Sequence, residues 1–228
     1  MRKSILPVVF FILFSFTKVY SHVEHYKNLN FLKYGLYFNG KLIGEHTFKF
    51  KNKDGFLYVY GTGRFTVNKL GIQLFDFETE SEEVFDKGKL IKYSSKTIQN
   101  EKEKFSNIKL KNNKLFIEGS SYKGEAERDL LVGTWWNHEI IKFSKQISPI
   151  SGRILPQKVN FLGKKELILF DKKYQALKFS FLSDDNKPLK KKKINFNVWY
   201  DENTLLWLKM SYEKLGQWEY RLKKYAFY

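Results

Sequence analysis

The chain has 228 residues, a formal net charge of +17 and no cysteine. This length is enough for one sizeable β domain or two small ones, and the lack of cysteine excludes disulfides, a cysteine nucleophile and a lipid anchor on cysteine. The charge favours anionic partners such as phospholipid headgroups or acidic polysaccharide. Codon composition is the alternative explanation, because only five of the 41 basic residues are arginine and the plentiful Lys, Asn, Phe, Tyr and Ile share A/T-rich codons.

The first 21 residues are typical of a secretory signal peptide. Arg2 and Lys3 supply a positive start, and Ile5 to Phe16 is an apolar run that is short for a membrane span of about 20 residues. Lys18 and Tyr20 are unusual near a cleavage site, so an uncleaved anchor is the alternative. Cleavage near Ser21 would remove three basic residues, leave a net charge of +14 and place the protein in the periplasm or outside the cell.

Residues 22–228 are predicted to form a single all-β domain. Apolar and polar residues alternate from Leu32 to Phe38 and from Leu42 to Phe50, and Asn39-Gly40 between them strongly indicates a β-hairpin. The alternation predicts about seven strands before residue 122. One of them, Ile72 to Phe85, keeps a period of two although its acidic residues would also suit a helix.

A longer connection, Tyr122 to Ile147, interrupts the alternation. Glu125 to Arg128 favours a helix, and Asp129 is a candidate cap for a short helical turn. The Trp135-Trp136-Asn137-His138 stretch follows. About six more strands are predicted between Arg153 and Leu222, with Gly163-Lys164 as one of the turns.

About a dozen antiparallel strands must curl or close to protect their edges. The sequence therefore predicts a strongly curved antiparallel sheet or an incomplete barrel. The connection would lie across the concave face of this sheet as a short helical or loop plug.

Three short motifs resemble an uncharacterised family of secreted bacterial β-proteins. They are Tyr37-Phe38-Asn39-Gly40-Lys41-Leu42-Ile43-Gly44, Thr134-Trp135-Trp136-Asn137 and Trp199-Tyr200-Asp201. The resemblance extends from about Tyr34 to Leu222. The architecture is more distantly similar to the half-barrels of periplasmic lipoprotein carriers, which hold acyl chains in a concave face. That similarity implies a lipid-like ligand, although a fold alone does not establish a function.

The candidate ligand-binding residues are aromatic or polar side chains expected on or near the concave face. They are Trp135, Trp136, Asn137, His46 and Trp199. Adjacent residues of an extended chain point to opposite sides, so only one of the two central tryptophans need enter a cavity. That tryptophan is either a wall of the ligand site or a core plug, and His46 has the same alternative as a core residue. Asn137 would fix the backbone or a ligand headgroup.

The run Lys190-Lys191-Lys192-Lys193 is either a solvated loop or a patch for an anionic membrane surface. Each lysine close to such a membrane contributes about 1 kcal/mol. Aromatic residues interleaved with lysine also suit nucleic acid, but the export signal and the lack of an RNA-binding motif argue against that partner. The sequence leaves the oligomeric state open.

No motif in the sequence predicts catalysis, a metal site or a cofactor. His22, His25, His46 and His138 have no zinc-site spacing, and there is no Gly-x-Ser-x-Gly elbow or glycine-rich phosphate loop. Asp76, Glu78 and Glu80 share a strand face and would suit glycoside hydrolysis only if two carboxylates met in one cavity.

The leading hypothesis is a non-enzymatic envelope protein that binds an apolar or lipid-like ligand. A structural or interaction protein with a filled core, associated with anionic surfaces through its charge, is the first alternative. A glycan or lipid hydrolase is the second.

Overall fold

The computed structural model describes residues 26–69, 72–188 and 191–228, so the predicted signal peptide, residues 1–21, lies outside it. Within these ranges the chain forms fourteen strands and a short 3-10 helix, His138–Lys142. The strands are β1 Leu29–Phe38, β2 Lys41–Lys53, β3 Phe56–Lys69, β4 Ile72–Asp86, β5 Lys89–Gln99, β6 Lys102–Lys111, β7 Lys114–Gly119, β8 Tyr122–Glu127, β9 Lys145–Ile147, β10 Ile154–Leu169, β11 Lys172–Ser183, β12 Asn195–Asp201, β13 Trp207–Glu213 and β14 Gln217–Phe227. No helix in the described ranges has the length and hydropathy needed to cross a membrane.

The strands form one unclosed antiparallel sheet in which consecutive strands pair with each other, except β8 and β9. Strand β1 pairs with β2 on one side and with β14 on the other, so two meanders run outward from the paired ends of the chain. The sheet edges are β8 and β9, which are consecutive in the chain. The predicted all-β class and unclosed antiparallel sheet are confirmed, with fourteen strands rather than about a dozen.

Three local predictions are wrong. Tyr122–Glu127 is strand β8 instead of the start of the connection, because its backbone groups pair with β7. The short helix lies later, at His138–Lys142, where Asn137 Oδ1 accepts a 3.1 Å hydrogen bond from Glu139 N and caps its first turn. Gly163, at a φ of +93°, is part of a bulge within β10 and not a turn between two strands.

The inner face of the sheet is the face whose side chains form the main core. This core includes residues from both meanders, among them Leu32, Phe48, Val59, Ile108 and Val198. The connection, residues 128–144, packs on the inner face and adds Leu130, Trp136 and Ile140 to the same core. The predicted plug is thus present, and it fills the space that it covers.

A band of small residues crosses the inner face beside this core. One row of paired positions begins at Phe48 of β2 and continues through Gly61, Ser81, Ser95, Ser106 and Gly119. The next row begins at His46 and continues through Gly63, Thr79 and Thr97. Beyond the band lies a second, smaller apolar cluster formed by Leu36, Phe65 and Phe77. The band therefore separates two apolar regions of one face.

The turn between β9 and β10, residues 148–153, lies on this small-residue band. The Pro149 carbonyl accepts a 2.5 Å hydrogen bond from Ser95 Oγ. A Cβ atom on Gly119 would lie 2.4 Å from the Ser151 carbonyl oxygen, so only glycine allows this approach. The turn thereby holds the β9–β10 end of the sheet against the inner face of β5 and β7, without strand pairing between these two parts.

Gly119→Ala is expected to lower the free energy of unfolding by about 1–3 kcal/mol, because the added methyl group overlaps the backbone of the docked turn. Urea unfolding measures the change. Gly124→Ala is the matched control, since its Cβ would meet only the end of the Tyr122 side chain, which can rotate away. Equal losses in the two variants would contradict the docking of the turn as the cause.

Candidate functional site

Trp136, the second tryptophan of the central pair, is a core residue. Its ring is fully buried, and the rings of Tyr26, Phe50 and Phe85 meet it edge-on at centroid distances of 5.3, 5.2 and 5.5 Å. Its Nε1 donates a 2.7 Å hydrogen bond to Glu83 Oε1. This predicted site residue therefore closes the core beneath the connection.

Glu83 is a carboxyl group on the inner face that is only 2% exposed. Burial raises the pKa of Glu83 to about 7, and the hydrogen bond from Trp136 acts in the opposite direction. The group consequently changes charge close to neutral pH inside the main core.

Trp135 is adjacent to Trp136 in the sequence, but its side chain contacts different residues. Its φ of +58° is in the left-handed region, which is uncommon for a bulky residue. Tyr200 Oη donates a 3.0 Å hydrogen bond to the Trp135 carbonyl, and the half-buried indole packs on Phe196 and Trp207 at 4.9 and 5.9 Å. The two indoles are thus separated by a left-handed backbone and not by the alternation of an extended strand.

Trp207 is the centre of a second set of rings, which we call the Trp207 cluster. Its ring centroid lies 4.2 Å from that of Tyr34, 5.4 Å from that of Tyr220 and 6.4 Å from that of Phe48. Tyr34 Oη also donates a 2.8 Å hydrogen bond to the Trp207 carbonyl. The complete cluster is Trp135, Trp207, Tyr34, Phe48, Tyr220 and His46.

Trp207 is not among the predicted site residues, because its strand does not alternate regularly. Leu206, Leu208 and Met210 are all buried, and strict alternation with them would put Trp207 on the opposite face. A bulge shifts the register between Trp199 and Tyr200 of β12, so that Trp207 and Leu208 are both buried.

His46 belongs to the Trp207 cluster, and the sequence placed it on the correct face of β2. Its ring stacks on Phe48 at 4.4 Å and lies 6.1 Å from Tyr220. Burial lowers the pKa of His46 to about 4, so the ring is neutral at pH 7. The residue is half-buried, but Nε2 is covered by protein.

Three ring nitrogens of the Trp207 cluster are buried without a hydrogen-bond partner among the described residues. They are Nε1 of Trp135, Nε1 of Trp207 and Nε2 of His46. A buried polar group left unpaired costs about 1–3 kcal/mol, and native proteins contain only a few per 100 residues. Their presence in one set of adjoining rings makes the Trp207 cluster the candidate ligand site.

The other predicted ligand-binding residues do not join this cluster through their side chains. Asn137 caps the 3-10 helix. Trp199 lies on the outer face of β12, with the ammonium groups of Lys178 and Lys209 4.9 and 5.4 Å from its ring centroid. The structure therefore brings together Trp135 and His46 of the predicted set, and leaves Trp199 on the other side of the sheet.

Only some lysines of the predicted patch are available to contact an anionic surface. Lys190 lies outside the described residues, and Lys192 Nζ donates hydrogen bonds of 2.8 and 2.5 Å to the carbonyls of Ser183 and Asp185. Lys191 and Lys193 are exposed. Binding of this run to an anionic surface stays a prediction.

His138 forms a buried polar chain on the other side of the plug. Tyr26 Oη lies 2.7 Å from His138 Nδ1, and His138 Nε2 lies 3.1 Å from Glu139 Oε1. Burial raises the pKa of Tyr26, so this hydroxyl is not an activated nucleophile. The chain fastens the N-terminal segment to the connection.

The predicted carboxylates Asp76, Glu78 and Glu80 lie on the outer face of β4, where Glu78 and Glu80 line open grooves. Glu80 and Glu82 line an open groove of about 710 Å³ together with Tyr60, Lys96 and Phe105. Within the described ranges, no group of three or more acidic and histidine side chains is arranged to hold a metal.

The fold and the site define a class of all-β, barrel-like proteins whose unclosed sheet encloses a core filled by its own connection. The chain is similar to the crystal structure of a beta-barrel-like protein of a domain of unknown function, DUF1849, from Brucella abortus. The TM-score is 0.57 at 12% sequence identity, over 88% of this chain and 98% of that chain, which shows the fold alone.

The model of another domain of unknown function, DUF6134, matches residues 34–223, and the chain belongs to this family. The predicted membership of an uncharacterised β-protein family is confirmed, over almost the same range of residues. No curated protein matches the sequence.

Proposed function

We propose that this protein is a non-enzymatic binding protein for an apolar or lipid-like ligand, and that the Trp207 cluster is its binding site. The observation that carries the proposal is the set of three buried, unpaired ring nitrogens within one aromatic cluster. Half-buried Trp135 and His46 give the cluster access to solvent. Ligand sites commonly combine apolar walls with a small number of placed polar groups.

The location of the site follows from how the inner face is filled. Trp136 and the turn at residues 148–153 occupy the inner face beside the cluster. The ligand would therefore bind at the margin of the plug, between the connection and strands β2 and β13, and not along the axis of an empty barrel.

The proposed place of action is the periplasm or the cell exterior, after cleavage near Ser21. The composition of residues 1–21 supports export. The net charge of +14 that would remain favours contact with anionic membrane surfaces, with Lys191 and Lys193 available to contribute.

A filled-core interaction protein is the second candidate function, and complete burial of Trp136 favours it. Such a protein would bind anionic vesicles in a salt-sensitive manner and carry no ligand. The two functions differ in what copurifies with the protein.

Native mass spectrometry of protein purified from a bacterial periplasm, followed by solvent extraction, tests the binding function. We expect a copurifying apolar molecule that is retained by Trp199→Ala and lost or depleted in Trp135→Ala. The reason is that Trp135 belongs to the Trp207 cluster, whereas Trp199 lies on the outer face. A ligand-free mass, with no uptake of added lipid, would favour the filled-core protein.

A further inference from the structure

The Trp207 cluster restricts the kind of polar group that its ligand can carry. An indole N–H only donates hydrogen bonds, so Nε1 of Trp135 and Nε1 of Trp207 both require an acceptor. A neutral imidazole supplies either a donor or an acceptor at Nε2. The unpaired ring nitrogens of the cluster are therefore mainly hydrogen-bond donors.

Two tyrosine hydroxyls nearby are already bonded to backbone carbonyls and do not compete for this acceptor. Tyr34 Oη is bonded to the Trp207 carbonyl, and Tyr200 Oη is bonded to the Trp135 carbonyl. These bonds fix the backbones that carry the two indoles. The donors are thus oriented by the protein before a ligand arrives, which reduces the entropy cost of binding.

The cluster contains no cation that would pair with an anionic group. The residues opposite His46 on the neighbouring strands are Tyr34 and Gly63, and Thr79 follows in the same row. The other members of the cluster are aromatic and uncharged. A carboxylate or phosphate buried here would lack a counter-charge, which is strongly unfavourable in a site of low dielectric constant.

We infer that the Trp207 cluster binds an uncharged carbonyl oxygen, from an ester or a ketone, on an otherwise apolar ligand. The inference rests on the proposed function and narrows it. It predicts that the charged end of an amphiphile stays outside the cluster, and that a free fatty acid is a poor ligand when ionised.

Quenching of tryptophan fluorescence by methyl 9,10-dibromostearate tests the inference, because bromine quenches indoles that it contacts. Competitors of matched length compare a methyl ester, a methyl ketone, an ionised carboxylate and an alkane at pH 8. We expect the ester or the ketone to displace the probe at about one-tenth of the concentration of the carboxylate or alkane. A tenfold difference in affinity is about the contribution of one to two neutral hydrogen bonds. Which of the two is stronger identifies the source of the carbonyl.

Trp207→Phe keeps an aromatic ring and removes one N–H. We expect it to weaken ester binding about fivefold to tenfold more than it weakens alkane binding, with Trp199→Phe on the outer face as the matched control. Trp135→Phe gives the same test through the second indole if Trp207→Phe does not fold.

Equal displacement by carboxylate and ester, or unchanged ester binding in both indole variants, would overturn the inference and leave apolar binding intact. A probe that quenches none of the tryptophans, with no competitor effect, would overturn the proposed function as well.

Discussion

Trp136→Ala is expected to lower the free energy of unfolding by about 3–5 kcal/mol, the range for truncating a large buried aromatic residue. The indole is fully buried and three aromatic rings pack edge-on against it, so its removal leaves a cavity that rigid neighbours cannot fill. The substitution also removes the hydrogen-bond donor of Glu83. Urea unfolding monitored by circular dichroism measures the loss.

Trp199→Ala is the matched control for Trp136→Ala. Its ring lies on the outer face between two lysine side chains, an arrangement worth about 0.5–1 kcal/mol per exposed cation–π contact. We expect a loss several times smaller than that of Trp136→Ala. Comparable losses in the two variants would mean that the connection does not act as part of the core.

The strands were predictable because their signals are local. A period of two places apolar residues on one face, and Asn39 and Gly40 both adopt the positive φ that a tight hairpin turn requires, 47° and 78°. The long acidic stretch Ile72 to Phe85 also formed the predicted strand, since its backbone pairs with β3 on one side and β5 on the other.

The candidate site was only partly predictable because it depends on distant contacts. Burial of Trp136 relies on Glu83, which is 53 residues away in the sequence. Inward placement of Trp207 relies on a bulge that periodicity does not indicate. The close approach of Gly61 to the neighbouring strand, where a Cβ would lie 2.4 Å from Ser81 Oγ, likewise has no local signal in the sequence.

The inner face therefore has two kinds of aromatic residue with different roles. Trp136 has its ring nitrogen paired with Glu83 and stabilises the fold. Trp135, Trp207 and His46 have unpaired ring nitrogens, and Trp135 and His46 are only half-buried. Within the predicted Trp-Trp motif, Trp136 is therefore the stabilising residue and Trp135 is the candidate binding residue.

Glu83→Gln is expected to raise the free energy of unfolding at pH 8 by about 3–4 kcal/mol, since each unit of pKa shift corresponds to about 1.4 kcal/mol. The pKa of Glu83 is about 7 in the folded protein, against an ordinary value of 4.5. Between these values the folded state holds a proton that the unfolded state has released, so stability falls as the pH rises from about 4.5 to about 7. Glutamine keeps the acceptor for Trp136 and cannot ionise.

His46 contributes the opposite pH dependence. Its pKa is about 4 in the folded protein, against an ordinary value of 6.5, so the unfolded state binds more protons as the pH falls. Stability from His46 therefore increases as the pH rises from about 4 to about 6.5. In the native chain the two groups oppose each other over most of this window, and their contributions to the slope largely cancel.

Removing Glu83 should expose the contribution of His46. We expect the stability of Glu83→Gln, measured by urea unfolding at several values between pH 4.5 and pH 8, to rise with pH where that of the native chain changes little. Glu139, whose pKa two hydrogen-bonded neighbours lower to about 2, loses its contribution mainly below pH 4.5 and does not disturb the comparison. Glu82→Gln, on the outer face of the same strand, is the matched control. Parallel pH curves for the native chain and Glu83→Gln would show that Glu83 is not protonated in the folded core near pH 6, and that its environment is more polar than its burial implies.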